Sequence, residues 1–124
     1  MNQPNPPPSI DVLEANRRLT ATTPPPLIVD VREPSEFATV RLADVVLMPM
    51  STFAVRFREL PTDRALLIMC AVGGRSAVAT SHLLAMGYPD VTNVAGGIVA
   101  WERSGLPVRR GTPAADEGAL PAEG

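Results

Sequence analysis

Short β-rich runs that alternate with helical patterns constrain the fold of this chain more than any other feature. The predicted strands are LIVDV (27–31), DVVLM (44–48), ALLIM (65–69) and VTNV (91–94), with a further short strand near Ser9–Ile10. Runs that are apolar nearly throughout, rather than at every second residue, are typical of parallel strands buried on both faces.

The predicted helices lie between these strands, at 11–21, 51–60, 75–86 and 98–104. The third helix aligns Ala79, Leu83 and Met86 on one face and stops at Gly87. This alternation predicts an α/β fold, in which helices cover both faces of a parallel sheet. Ligands of such sheets bind beyond the carboxyl ends of the strands, and Cys70 follows the run 65–69 at that end.

Composition narrows the functional classes. The 124 residues suit one domain, and a net charge of −2 offers neither a basic stripe for nucleic acid nor a polybasic patch for a membrane. No apolar run approaches the roughly 20 residues of a membrane span, and the start MNQPNPPPSI lacks the pattern of a signal peptide. We therefore expect a soluble, cytoplasmic monomer.

Both ends of the chain are predicted to be disordered. Residues 1–8 are rich in proline, and residues 109–124 are small, polar and poor in apolar side chains. The folded domain is therefore expected to span residues 9–108.

Cys70 is the only cysteine, which excludes an internal disulfide and a cysteine-rich metal site. Two glycines, Gly73 and Gly74, follow it before a helix, so successive N–H groups can point inward and hold an anion. A thiol in such a field has a pKa of about 3.5–7.5, against about 8.5 when free. A buried core cysteine is the competing interpretation, but packing explains neither the glycines nor Arg75 and Ser76.

Other chemistries fit this loop less well. The segment CAVGGRS lacks the lysine of a phosphate-binding P-loop and the spacing of a dinucleotide-binding loop. The lone histidine, His82, lies about two helical turns beyond the loop, too far to act as a base for Cys70, and one histidine predicts no metal site. Activation of the thiol must therefore come from the loop itself.

Three motifs together resemble the rhodanese-like sulfurtransferases. CAVGGRS is similar to their active-site loop, C-x-x-G-x-R-S. LIVDVREPSEF is similar to their D-V-R-x-x-x-E-F segment, and VTNVAGGIVAWERSGLPV to their closing G-G-x-x-A-W segment. The resemblance covers roughly residues 9 to 108. It implies a rhodanese-like fold, with a five-stranded parallel sheet flanked by helices on both faces.

The resemblance also implies a reaction. Cys70 would take the outer sulfur of a donor such as thiosulfate and pass it from a persulfide to cyanide, a thiol or a protein cysteine. No metal or organic cofactor is implied. The binding loop for the sulfur would comprise Ala71, Val72, Gly73, Gly74, Arg75 and Ser76.

Three residues of the LIVDVREPSEF segment are candidates for supporting that loop. The resemblance places Glu36 beside Arg75 as an ion pair, and Asp30 is expected to support the loop by hydrogen bonds. Arg32 is left open between a role in the site and a solvated helix start. Trp101 is expected to pack against the sheet.

Two alternative functions stay open. Phosphatases and arsenate reductases of the same fold place five residues between cysteine and arginine, and this chain has four, which favours sulfur transfer. A non-catalytic docking module is the second alternative. The chain also departs from the family at 40–45, where VRLADV replaces the usual G-H-I-x-G-A. Since Arg75 is the only charged residue of the loop, we expect thiosulfate to bind weakly and a larger persulfide or a partner protein to be the donor.

Overall fold

A computed structural model describes residues 5–121 of the chain, which contain seven strands and five α-helices. The strands are β1 (Ser9–Ile10), β2 (Leu27–Asp30), β3 (Val40–Arg41), β4 (Val46–Leu47), β5 (Leu66–Met69), β6 (Val91–Val94) and β7 (Arg109–Arg110). Five of them form one parallel sheet in the order β1-β6-β5-β2-β4. The predicted five-stranded parallel sheet is therefore confirmed.

The helices cover both faces of this sheet. They are α1 (Val12–Ala21), α2 (Pro34–Thr39), α3 (Met50–Arg56), α4 (Gly74–Ala85) and α5 (Gly97–Arg103), and a 3-10 turn (Phe57–Glu59) follows α3. Side chains of α3 and α4 pack into one apolar cluster, and side chains of α1, α2 and α5 into another. Among the residues described, no helix is both long and apolar enough to cross a bilayer.

The central strand β5 shows why the apolar runs are continuous. Leu66 and Ile68 belong to the cluster under α3 and α4, whereas Leu67 and Met69 belong to the cluster under α1, α2 and α5. Every residue of the strand is buried. A strand covered on both faces needs apolar side chains at successive positions, as the sequence indicated.

The segment between β2 and β4 contains two elements that the sequence did not predict, α2 and β3. Pro34 occupies the first turn of α2, and Glu33 and Glu36 cap its amino end reciprocally. Asp44 then adopts a left-handed conformation with φ 60° in the turn into β4. Asp44 stands where the G-H-I-x-G-A pattern has its second glycine. Aspartate is one of the few other residues that tolerate this left-handed conformation.

The predicted C-terminal tail, residues 109–124, lies within the described residues as far as residue 121. Residues 109–121, which we call the C-terminal strap, cross the edge of the domain. In this strap β7 pairs antiparallel with β3, and the Gly118 carbonyl accepts a hydrogen bond of 2.8 Å from Leu47 N–H. Low apolar content predicted disorder here, but in the structure the strap is held by backbone pairing and by an ion pair between Arg41 and Glu117.

The predicted N-terminal tail, residues 1–8, lies partly outside the described residues, as do residues 122–124. Residues 5–8 have no regular secondary structure. The Pro8 carbonyl nevertheless accepts a hydrogen bond of 2.8 Å from the N–H of Asn93, so backbone pairing to β6 begins one residue before β1.

Candidate active site

Cys70 lies directly after β5, at the carboxyl end of the sheet. The loop 70–73 leads from β5 into α4, which begins at Gly74. On the neighbouring strand β2, Asp30 is in register with Met69. The starts of D-V-R-x-x-x-E-F and of C-x-x-G-x-R-S therefore lie side by side at the carboxyl end of the sheet.

The sulfur of Cys70 is buried and accepts two hydrogen bonds. The N–H of Gly73 donates from 3.1 Å and the Oγ of Ser76 from 3.2 Å. Burial by itself would raise the pKa of the Cys70 thiol. The Ser76 hydroxyl and the nearby N–H groups of Ser76, Gly73 and Val72 favour the charged form and outweigh burial, so the pKa is lowered from its ordinary value. The loop thus favours the nucleophilic thiolate without a neighbouring base.

Gly73 makes this arrangement possible through its backbone. Its φ of 106° lies in a region that side chains disfavour, and its N–H points at the sulfur of Cys70. A Cβ at this position would also lie 3.2 Å from the nitrogen of Gly96. Gly74 has no such neighbour, so of the two glycines it is Gly73 that the geometry requires.

A second pair of glycines, in the closing motif, supports the loop from the other side. A Cβ on Gly97 would lie 2.3 Å from the carbonyl oxygen of Cys70. The close approach lets Ile98 N–H donate to the Cys70 carbonyl at 3.0 Å, and Val99 N–H to the Ala71 carbonyl at 3.1 Å. In the sequence, this G-G pair is only one part of the resemblance to the family. The signal for its role was the repeat of two glycines at the start of a helix.

Arg75 and Glu36 form a two-pronged ion pair. Nη1 and Nη2 of Arg75 donate to Oε1 and Oε2 of Glu36 at 2.7 and 2.8 Å. This contact lowers the pKa of Glu36 to about 2 and raises the pKa of Arg75. The only charged side chain of the CAVGGRS segment is therefore paired with an acid, and its guanidinium plane is fixed by two hydrogen bonds.

Asp30 does not contact the loop as expected. Within residues 5–121 its carboxylate accepts side-chain and backbone hydrogen bonds from Arg32 alone, the shortest at 2.7 Å. Both residues are 2% exposed. Arg32 is also buried, and a buried guanidinium requires a carboxylate partner, so it takes the carboxylate of Asp30 in place of the nearby loop. Arg32 is therefore not a solvated helix start, and its role in the site stays a prediction.

Asn93 is a site neighbour that the sequence analysis missed. It lies on β6, is 4% exposed, and donates from Nδ2 to the carbonyl of Gly73 at 3.4 Å and to Oγ of Ser9 at 3.3 Å. A polar side chain in the middle of a predicted buried strand was the available signal.

His82 and Trp101 lie away from the sulfur. His82 is half-buried, with its ring edge-on to Phe57 at 4.7 Å between centroids. Trp101 is buried in the cluster under α1, α2 and α5 and donates to the Pro107 carbonyl at 2.9 Å. Both are packing residues.

The mouth of the loop is open and mostly uncharged. Val72 is 67% exposed and Gly74 is exposed, while Ala71 is half-buried. The site therefore combines a buried thiol whose pKa is lowered, N–H and O–H donors to its sulfur, and an apolar rim. Such a site can attack an electron-poor sulfur and hold the anion that results.

Comparison with known proteins agrees with this geometry. Residues 11–104 match the family described as the rhodanese-like domain. A protein named "Sulfurtransferase" from Allochromatium vinosum is 41% identical over 99 residues, which are 80% of this chain and 92% of that protein.

Two further proteins illustrate the range of the similarity. A probable adenylyltransferase/sulfurtransferase MoeZ from Mycobacterium tuberculosis is 32% identical over 78% of this chain, but the match spans only 24% of that longer protein. The crystal structure of a rhodanese-related protein from Thermoplasma volcanium superposes with a TM-score of 0.75 at 30% identity. That match covers 82% of this chain and 97% of the other.

Proposed function

The chain belongs to the rhodanese-like domain family, and on this premise we propose that it is a sulfurtransferase that carries sulfur on Cys70. The observation that carries the proposal is the environment of the Cys70 sulfur, which accepts hydrogen bonds from Gly73 N–H and from the Ser76 hydroxyl. These donors stabilise a negative charge on sulfur, first as thiolate and then as persulfide.

In the first step the Cys70 thiolate attacks the outer sulfur of the donor. With thiosulfate, a bond forms between Sγ and that outer sulfur while the sulfur–sulfur bond of thiosulfate breaks. Sulfite leaves with the electron pair, so no proton or external electron is required. The terminal sulfur of the persulfide is then the anion that the N–H groups of residues 71–75 hold.

In the second step an acceptor attacks the terminal sulfur. Cyanide leaves as thiocyanate, or a thiolate becomes a persulfide, and the Cys70 thiolate is regenerated. Since the chain has one cysteine, no second thiol can resolve the persulfide as an internal disulfide. The sulfur stays on Cys70 until an external acceptor arrives.

The charge at the mouth bears on the donor. Thiosulfate is a dianion, and the guanidinium of Arg75 is already paired with Glu36. We therefore expect weak binding of thiosulfate, and a larger persulfide or a sulfur-donating protein as the working donor. A single reactive thiol suits a reducing compartment, so the cytoplasm is the proposed setting. The protein is also proposed to be a monomer.

Intact-mass spectrometry tests the proposal directly. The purified protein is treated with thiosulfate, with or without later cyanide, beside a Cys70→Ser variant. We expect a gain of one sulfur atom that cyanide removes and that the variant lacks. A persulfide of a small thiol serves as the second donor in the same assay.

The alternatives predict other results. A phosphatase-like or arsenate-reductase-like enzyme would load no sulfur from either donor but would turn over a phosphate ester or arsenate. A docking module would load no sulfur, and its binding to a partner would survive Cys70→Ser. Either result would overturn the proposal that the protein is a sulfurtransferase.

A further inference from the structure

Two buried arginines hold the carboxyl end of α2, the helix that carries Glu36. Arg32 donates to the Glu36 carbonyl at 3.3 Å and to the Val40 carbonyl at 2.7 Å, and Arg41 donates to the Phe37 carbonyl at 3.5 Å. Guanidinium groups at this end of a helix offset its negative dipole. With six residues, α2 is far below the ~12–15 at which isolated helices become marginally stable, so its position depends on such contacts.

One of these arginines is held by the C-terminal strap. The guanidinium of Arg41 is 3% exposed on its side chain and contacts Glu117 twice, from Nε at 2.5 Å and from Nη2 at 3.1 Å. Its Nη1 donates to the carbonyl of Gly111 at 2.7 Å. A buried guanidinium that loses its carboxylate is strongly destabilised, so Arg41 keeps its place through the strap.

The strap also touches α2 through packing. A Cβ on Gly118 would lie 3.4 Å from the tip of the Phe37 ring, and the Arg41 guanidinium lies 5.6 Å from the centre of that ring. Phe37 is the next residue after Glu36. The helix that packs against the strap through Phe37 therefore also carries the carboxylate that fixes Arg75.

We propose that the strap is part of the active site's support, because the Arg41–Glu117 pair holds α2 and thereby holds Glu36 against Arg75. Arg41 and Glu117 are positioning residues that act through Glu36. The inference rests on the proposed sulfur transfer for its functional readout. It concerns a segment beyond residue 104, where the family match ends.

The central variant is Glu117→Gln in the full chain, which keeps the shape of the side chain and removes its charge. Glu102→Gln is the matched control, since Glu102 pairs with Arg110 of the same strap but lies on α5. Glu117→Asp tests rescue by a shorter carboxylate. Each variant is compared with the unaltered chain for the rate of sulfur loading, for the alkylation rate of Cys70 by iodoacetamide and for its urea unfolding curve.

We expect Glu117→Gln to slow loading about three- to tenfold, in the range of measured couplings between contacting residues. Glu102→Gln should load at the original rate, and Glu117→Asp should recover part of the loss. Rates are compared only where the urea curves show every variant to be folded. Unchanged loading in Glu117→Gln overturns the proposal.

A double variant separates positioning from general stabilisation. If Glu117 acts through Glu36, Glu36→Gln combined with Glu117→Gln should load sulfur at the rate of Glu36→Gln alone. If the two losses multiply, Glu117 acts elsewhere and the proposal fails. Should the unaltered chain load no sulfur from any donor, the proposed function fails instead. The alkylation rates of the same variants then decide the question about the strap, since Arg75 lies in the first turn of α4, directly after the loop that carries Cys70.

Discussion

The guanidinium of Arg75 and the carboxylate of Glu36 face each other across two parallel hydrogen bonds of 2.7 and 2.8 Å, although 39 positions separate them in the sequence. One residue follows the glycine-rich loop and the other rides on a six-residue helix. The pair therefore joins the LIVDVREPSEF and CAVGGRS segments. We expect a substitution of either residue to change the reactivity of the Cys70 sulfur.

Arg75→Lys should slow sulfur loading about tenfold, because a lysine keeps the charge but cannot donate in two parallel directions, and hydrogen bonds between charged groups contribute about 1.5–3 kcal/mol. The rate of persulfide formation, followed by mass, measures the effect. Arg17→Lys is the control, since Arg17 also forms a two-pronged contact, through Nε and Nη2, with Glu14 on the exposed face of α1. Equal loading by both variants would contradict this role of Arg75.

Ser76→Ala should raise the pKa of the Cys70 thiol, because it removes the hydroxyl donor 3.2 Å from the sulfur. A smaller fraction is then thiolate at neutral pH, and alkylation by iodoacetamide slows several-fold there while its rate at high pH is retained. The pH dependence of alkylation gives the pKa. Thr80→Val is the control, since that buried hydroxyl donates to the Ser76 carbonyl and not to sulfur. An unchanged profile in Ser76→Ala would remove the hydroxyl from the account of reactivity.

Gly97→Ala should be far more damaging than Gly105→Ala. Both glycines have positive φ, 57° and 77°, so both alanines incur backbone strain of about 1–3 kcal/mol. Only at Gly97 would the new methyl meet backbone, 2.3 Å from the Cys70 carbonyl oxygen, whereas nothing lies within 4 Å at Gly105. We expect a loss of at least about 3 kcal/mol in the free energy of unfolding for Gly97→Ala, measured in urea. Similar losses for the two would show that the contact with the loop relaxes freely.

Acid should remove the stabilisation that Glu36 provides. Its pKa is lowered to about 2 by Arg75, against about 4.3 in an unfolded chain. The contribution is therefore fully present above the unfolded pKa and is lost as the pH falls toward the folded one. The difference in unfolding free energy between the unaltered chain and Glu36→Gln should shrink between about pH 6 and about pH 2.5. A difference that stays constant would mean that the charge of Glu36 does not stabilise the fold.

The sheet could be predicted from the sequence because its strands are apolar at successive positions, as in β5. The helix α2 could not, since six residues carry too little periodicity and its position depends on Arg32 and Arg41. Composition likewise predicted a disordered end where the strap packs. Arg41 and Glu117 are 76 positions apart in the sequence, and the residues around Glu117 do not indicate which arginine it will contact.

The site was partly predictable for a similar reason. The glycines after Cys70 indicated an anion-holding turn, and the turn is a local structure. The position of Asp30 at the carboxyl end of its strand predicts a contact with the loop, but its carboxylate instead forms an ion pair with the neighbouring Arg32. Which of two adjacent polar partners a buried acid contacts is decided by side-chain packing, and strand order does not determine it.

The pairing of Gly118 with Val46 has a consequence for the protein in concentrated solution. β4 is the outermost strand of the sheet, and the strap contacts its open side. An uncovered strand edge is a template on which another chain can add. A chain shortened after Val108 would expose that edge beside the apolar Val46. We expect this shortened chain to self-associate as its concentration rises, because the strap no longer covers the edge of β4.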